Sequence, residues 1–375
     1  MSADFYLLSV PVQCGKTTML EAWAAGQEPG TVGGFLSPDR VSAQARTRVF
    51  YDVASGREYP FEWEREDQPD PEDCIPMGRF RFRKSSFDWA HAALLNAAKQ
   101  AELSTVMVDE IGPLELRMDS GLQPVLSTFM QSMQGPEQAG RKVLLVVRDY
   151  LLAEFLQAFP GLNPRVNQGP WFPPRPDLRA LVLSGGQSSR MGKDKAFIQY
   201  HEQPQYRYAL DQMKRAEGLA QLDAGIRSFV ISGRAEHIFD LESDEACWLD
   251  AEPFAGHGPI SGLLTAHNRE PSSAWLVMGV DYPQLQDLAL QRLILAYRVS
   301  GRSVCFAPAN PETKWPNRAG LEPLVALYAP ADLAQLLVYF QGGGQSLKQF
   351  LLNADPLVLP FDERLGLVSF DSPPA

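Results

Sequence analysis

Twice in this chain an apolar run leads straight into a glycine-bearing polar loop and then into helix-forming sequence. Residues 5–10 lead into Pro11, Val12, Gln13, Cys14, Gly15 and Lys16, and residues 178–183 lead into a loop carrying Gly185, Gly186 and Gly192. A short apolar run bounded in this way reads as a buried strand, and the loop between strand and helix is where open α/β sheets gather ligands. Between the two lies a segment with prolines at 160, 164, 170, 173, 174 and 176. Proline has no N–H to donate and bars both helix and central strand. The 375 residues therefore divide into two expected domains, 1–160 and 178–375, joined by a Pro-rich linker over 161–177.

Patterning inside each half supports an α/β fold. The first half has strand-like runs at 5–10, 105–108 and 142–147, with a helical stretch at 89–101. The second has β-prone runs at 180–184, 228–232 and 274–280 and helical stretches at 205–216, 260–268 and 287–297. The order βαβαβ, repeated, predicts two doubly wound domains. No repeat of sequence relates the halves.

Charge and cysteine usage narrow the function. Thirty-four Lys and Arg against 45 Asp and Glu leave a net charge of −11, which repels nucleic-acid backbones, so no nucleic-acid partner is expected. A small phosphate ligand is compatible, because a few cations and N–H groups in a cleft suffice to hold it. Cys14, Cys74, Cys247 and Cys305 show no C-x-x-C spacing, which argues against a zinc site or a disulfide framework. The start carries Asp4 where a signal peptide would be basic, and no apolar run approaches the ~20 residues of a membrane span. A cytoplasmic protein without a membrane partner is the expectation.

Gly15, Lys16 and Thr17 match the end of the phosphate-loop pattern G-x-x-x-x-G-K-[ST], with Val10 at the place of the first glycine. A strand ending in adjacent carboxylates, Asp109 and Glu110, supplies the second element such a site needs, one group toward Mg²⁺ and one toward water. With the stretches 32–35 and 109–116, this half resembles a family of small P-loop nucleoside-triphosphatases over residues 5–158. The resemblance implies Mg²⁺-dependent NTP hydrolysis, with Lys16 and Thr17 on phosphate and metal and Glu110 near the attacking water. Cys14 lies inside the loop but has no evident base partner, so it is not read as catalytic.

In the second half, Leu183, Ser184, Gly185 and Gly186 open a loop that continues through Ser188, Ser189, Arg190, Met191 and Gly192 to Lys193, Asp194 and Lys195. Glycines let backbone approach a triphosphate, and Arg190 and Lys195 are suited to neutralising phosphate and departing pyrophosphate. Asp281 follows an apolar strand, where a hard carboxylate can bind Mg²⁺. The loop resembles the signature G-G-x-S-x-R-M-G-x-D-K of the molybdenum cofactor guanylyltransferase family, a similarity spanning 178 to about 355. The residues that follow agree in order: Asp250, then 258–262, then the strand leading to Asp281.

That resemblance implies a Rossmann-like nucleotidyltransferase domain behind a P-loop NTPase-like domain. It implies that Leu183, Ser184, Gly185, Gly186, Lys195 and Asp250 hold the nucleotide, that Arg190, Lys195 and Asp281 carry catalysis, and that Asp281 carries the metal. The expected reaction transfers GMP from GTP to the molybdopterin cofactor. The first domain is expected to act as an accessory in cofactor assembly, alongside protein partners. Val230, Ile231, Ser232, Gly233 and Arg234 stand where the family tends to place asparagine beside the base. Cytidylyl or sugar-nucleotide transfer, and a nucleotide-responsive adaptor without catalysis, are the rival readings. His257 and Lys348 are candidates for contact with substrate, each with an ordinary surface role as the alternative.

Overall fold

The structure is a computed structural model that describes residues 2–41, 46–64, 67–184, 194–220, 225–310, 316–361 and 363–370. It divides into two compact units, Met1–Pro173 and Pro174–Ala375. Both are α/β, as the patterning predicts.

The strands of the first unit are β1 (Asp4–Leu8), β2 (Val32–Leu36), β3 (Asp39–Val41), β4 (Arg46–Asp52), β5 (Glu58–Pro60), β6 (Cys74–Met77), β7 (Phe80–Arg83), β8 (Thr105–Ile111), β9 (Lys142–Val147) and β10 (Arg165–Val166). They form a main sheet in the order β10-β1-β9-β8-β2-β4-β3, with β5 beside β4, and a separate hairpin of β6 and β7. The five strands from β10 to β2 are parallel, and β4 turns antiparallel. Parallel strands need helices on both faces, and β9 shows it. Val143, Leu145 and Val147 join a core with Phe87 and Leu94 of α2 (Lys84–Lys99), Phe129 of α4 (Gln123–Met133) and Phe155 of α5 (Leu152–Ala158), while the intervening Leu144 and Val146 are equally buried. Helix α1 (Lys16–Ala25) follows the first glycine loop, and a short α3 (Pro113–Arg117) follows β8.

The expected linker is largely part of this unit. Arg165 and Val166 pair in parallel with Tyr6 and Leu7, Asn167 Oδ1 accepts the Ser9 N–H at 2.7 Å, and buried Trp171 packs edge-on against Tyr6 and Trp23. Prolines are tolerated here because the strand is short and lies at the sheet edge. The divide between the units falls instead at Pro173 and Pro174.

In the second unit β11 (Leu178–Leu183), β12 (Ile226–Gly233), β13 (Glu245–Leu249), β14 (Ala274–Gly279), β15 (Val304–Pro308), β16 (Glu322–Tyr328) and β17 (Leu357–Phe361) form one sheet in the order β13-β12-β11-β14-β16-β15-β17. The first four are parallel, and β16 is antiparallel to both its neighbours. Leu181 and Leu183 share a core with Leu263 of α7 (Pro259–Arg269), Leu336 of α9 (Pro330–Gln341) and Phe350 of α10 (Leu347–Ala354). Ala180 and Val182 are buried on the other face, the side left to α6 (Gln205–Ala220) and α8 (Asp287–Ser300) by the strand's alternation. β11 is therefore central and covered on both faces, and its carboxyl end opens into the glycine loop.

Close backbone approach dictates Gly34 in β2. Its φ is +86°, and a Cβ there would stand 2.0 Å from the Met107 carbonyl oxygen of β8, whereas a Cβ at Gly33 would meet only the flexible Leu103 side chain. Gly34→Ala is expected to cost more than about 3 kcal/mol, combining left-handed strain with overpacking, and Gly33→Ala markedly less. Urea denaturation of the two variants checks this, and equal costs would count against the close approach.

Candidate functional site

The carboxyl edge of the second sheet is built from neighbouring strand ends. Leu183 of β11 pairs with Ser232 of β12 on one side and Gly279 of β14 on the other, and the Val280 N–H donates to the Leu183 carbonyl. Ser184 donates both its N–H, at 3.2 Å, and its hydroxyl, at 2.6 Å, to the Ser232 carbonyl. Its hydroxyl proton thus ties the loop's root to β12. The Ser232 hydroxyl donates in turn to Asp250 Oδ1 at 3.0 Å. Burial raises the Asp250 pKa against the lowering effect of that bond. Helix α7 begins against the same edge, since a Cβ on Gly262 would lie 2.5 Å from Ser232 Oγ and 2.8 Å from the Leu183 side chain.

Residues 185–193, including Gly185, Gly186 and Arg190, lie outside the described residues. Where the chain is described again, Asp194 Oδ1 accepts the Ala196 N–H at 2.9 Å and Oδ2 lies 2.9 Å from His237 Nε2. This cap fixes the turn Lys195–Phe197. Lys195 Nζ then reaches Asp281 Oδ1 at 3.3 Å, so the far end of the loop meets the carboxylate at the end of β14. The tail after β17 joins them, because Lys195 Nζ donates to the Phe370 carbonyl at 3.2 Å and the Phe370 N–H donates to the Asp281 carbonyl at 2.8 Å. Leu183, Ser184, Lys195, Asp250 and Asp281 are thus gathered at one edge. His257 packs its ring edge-on against Phe340, and Lys348 is an exposed residue in the first turn of α10.

The first unit repeats the logic with different groups. Gly15, at φ +90°, caps α1 in a left-handed conformation, and Gln13 takes φ +63°, a conformation that disfavours a side-chain-bearing residue by about 1–2 kcal/mol. Val10 is buried. The loop borders a cavity of about 360 Å³, with Lys16 and Thr17 on one side and Glu110, Arg48 and Arg148 on the other. Fully buried Asp109 accepts hydrogen bonds at Oδ2 from the Thr17 hydroxyl, at 3.3 Å, and the Ser37 N–H, at 3.0 Å. Burial favours the neutral form of both Lys16 and Asp109. For Lys16 the charges of Asp109 and Glu110 outweigh burial and the pKa rises, while for Asp109 burial outweighs Lys16 and the pKa rises too.

Glu110 has φ +71°, at the place where the pairing of β8 with β9 shifts register. A bulge of this kind re-aims a side chain at a sheet end. The Glu110 carboxylate receives Arg148 Nη2 at 2.6 Å and has Arg48 Nη2 at 3.6 Å. Burial pushes the Glu110 carboxyl up, but Arg148, Lys16 and Arg48 together hold it down to about 2. Burial pushes the Cys14 thiol up to about 12, which leaves no reactive thiolate in the loop.

Residues 180–356 match the family model described as MobA-like NTP transferase domain, and residues 6–155 match the one described as NTPase. A probable molybdenum cofactor guanylyltransferase of Nostoc sp. is 30% identical, over 49% of this chain and 81% of its own length. The chain belongs to the MobA-like NTP transferase family. A molybdenum cofactor biosynthesis bifunctional protein of Synechocystis is 29% identical over 52% of each chain, and a probable molybdenum cofactor guanylyltransferase of Bacillus subtilis is 33% identical over 31% of this chain and 55% of its own. The chain thus spans about half the length of these last two relatives. Among the described residues, no helix is long and apolar enough to cross a membrane.

Sequence reasoning missed Arg48 and Arg148, which bracket Glu110, and His237, which anchors the MobA-like loop through Asp194. Arg148 had a signal, being the first residue after an apolar strand. Arg48 lies inside a half-exposed strand and had none. Because Arg148 and its neighbours hold Glu110 below its ordinary 4.5, its stabilising effect is complete above that value and is lost as pH falls toward about 2. Glu110→Gln should therefore flatten the fall in urea midpoint between about pH 5 and pH 3. An unaltered slope would show that the pairing contributes nothing.

Proposed function

We propose that the MobA-like half transfers GMP from GTP to the terminal phosphate of molybdopterin bound with its metal, releasing pyrophosphate. The observation that carries the reading is the Lys195–Asp281 pair at the sheet edge beside Ser184. A lysine next to a carboxylate at a strand end suits an anionic ligand with its counter-cation, and the choice of acceptor follows the names of the relatives. The first unit is proposed to bind a second nucleotide on Gly15, Lys16 and Thr17, with Asp109 toward Mg²⁺ and Glu110 beside the terminal phosphate. GTP being an intracellular substrate, the proposal places the enzyme in the cytoplasm.

The chemistry needs little from the protein beyond placement and charge. An acceptor phosphate oxygen is already ionised, so no general base is required. It forms a bond to the α-phosphorus as the bond to the bridging oxygen breaks, and pyrophosphate leaves with the electron pair. Lys195 neutralises charge on the departing phosphates. Asp281 is a hard oxygen donor, which fits a Mg²⁺ ion that takes one or two carboxylates and completes its shell with phosphate and water oxygens. When bound there, Mg²⁺ would neutralise charge on the triphosphate. The Asp194 cap and His237 hold Lys195 toward this position, while Ser184, Ser232 and Asp250 fix the opposite wall.

Lys195→Ala and Asp281→Ala are each expected to lower pyrophosphate release from GTP and purified cofactor precursor by at least about 100-fold, the scale of losing one charge-stabilising group. Full activity in both variants would remove the reading. GTP is expected to outcompete CTP for binding to the full chain carrying Lys16→Ala, which removes the first unit's proposed site; the opposite order would favour cytidylyl transfer instead.

A further inference from the structure

Beside the phosphate cleft of the first unit lies a second cavity, of about 270 Å³, near the lower end of the range for small-molecule pockets. Its wall is aromatic: Phe50, Phe61, Phe80, Phe82 and Phe87 line it. Phe50 and Phe61 stack at 4.3 Å, Phe61 and Phe82 at 6.1 Å, and Phe87 meets all three rings edge-on, so a packed aromatic cluster forms the wall of the chamber. Met77 and Phe80, paired at the end of the β6–β7 hairpin, form its outer side.

The two cavities share three residues, Arg48, Glu110 and Arg148, and neither of the phosphate-loop residues Lys16 and Thr17 lines the aromatic one. The Glu110 carboxylate, turned by its bulge, and the two guanidiniums therefore stand on the boundary. A phosphate-loop lysine meets the β- and γ-phosphates, so the far side of Glu110 is the direction from which a nucleophile would approach the terminal phosphorus. Water as that nucleophile needs no aromatic chamber. An aromatic wall instead rewards an apolar ring in the ligand, which can pack against ring edges or faces while its surface leaves water.

We propose that this pocket is an acceptor site, and that the first unit transfers the terminal phosphoryl group of a nucleoside triphosphate to the hydroxyl of a small planar aromatic alcohol. The inference rests on the proposed nucleotide site of this unit and names the second substrate class it takes. The acceptor oxygen forms a bond to the γ-phosphorus as the bond from that phosphorus to the β–γ bridging oxygen breaks. The nucleoside diphosphate leaves with the electron pair, and the hydroxyl proton is released to solvent, with the ionised Glu110 carboxylate orienting the hydroxyl by accepting its hydrogen bond. Nucleoside triphosphate and alcohol thus give nucleoside diphosphate, phosphate monoester and a proton. Arg48 and Arg148 neutralise the group in transit. Glu115, also in the lining, accepts the N–H groups of Gly112 and Leu122, at 2.8 and 3.2 Å, adding a polar group to the aromatic wall apart from Arg48, Glu110 and Arg148.

The test uses the purified full chain with Mg²⁺, γ-labelled GTP or ATP, and three probes: 4-hydroxybenzyl alcohol, 3-pyridinemethanol and 2-naphthalenemethanol, with cyclohexylmethanol as the non-planar control. Labelled phosphate monoester is expected from at least one aromatic probe, at ten or more times the rate with the control. Phe80→Trp and Met77→Trp, which narrow the pocket from its partly exposed side, should raise the KM for that alcohol at least tenfold, while the affinity of the first unit for nucleotide, read as the part of fluorescent GTP-analogue binding that Lys16→Ala abolishes, stays within twofold. Lys16-dependent binding of the analogue without any aromatic ester, or label appearing only as inorganic phosphate, overturns the acceptor site while leaving the nucleotide site standing. Absence of any analogue binding that Lys16→Ala removes overturns both.

Discussion

A carboxylate at the end of a buried parallel strand is costly to ionise unless cations or hydrogen bonds replace the lost water, and both units place cations against such carboxylates. Removing a carboxylate from water costs several kcal/mol unless charge and hydrogen bonds replace the solvent. In the MobA-like unit Lys195 comes back from the far end of the glycine loop to lie against Asp281. In the first unit Lys16 faces Asp109 and Glu110, and Arg148 and Arg48 close on Glu110 from the other side. In the proposed function the same cations would meet a polyphosphate, so the stability of each site and its proposed affinity for anions would share one cause.

The two units solve the problem with different economy. The first uses backbone geometry: left-handed Gly15 and Gln13 shape the loop, and left-handed Glu110 bends the strand that faces it. The second uses side-chain tethers: Ser184 to β12, Ser232 to Asp250, and Asp194 between a turn and His237. Left-handed residues without glycine are costly and cluster at functional positions. Their presence on both sides of one cavity in the first unit fits a site whose shape is specified more tightly than stability alone would require.

Much of this was legible before any coordinates. The runs at 142–147 and 274–280 read as strands because both faces are buried and no polar residue interrupts them; Asp109 and Asp281 were marked by their place at strand ends, and Lys16 and Lys195 by the glycine-loop motifs that carry them. Strands β3 to β7 were not legible, because four of them are short and all five are largely half exposed; Asp39–Val41 carries no apolar alternation. The antiparallel course of β16 was equally hidden, since an apolar run does not state its direction. The Pro-rich segment misled because composition reports the missing N–H donors but not the partners of those that remain, such as the Asn167 N–H that donates to Leu7. Ion pairs between distant segments, Arg48 with Glu110 above all, leave no local trace.

The region that matches the MobA-like family ends at residue 356, just short of β17, which pairs with β15. A shortened protein cut to that boundary would carry every motif by which the family is known. It would also bare the edge of β15 and take away the carbonyl that engages the Lys195 ammonium, together with the N–H that steadies the backbone of Asp281. The structural limit of this unit is therefore set by backbone contacts that lie beyond the region of family likeness.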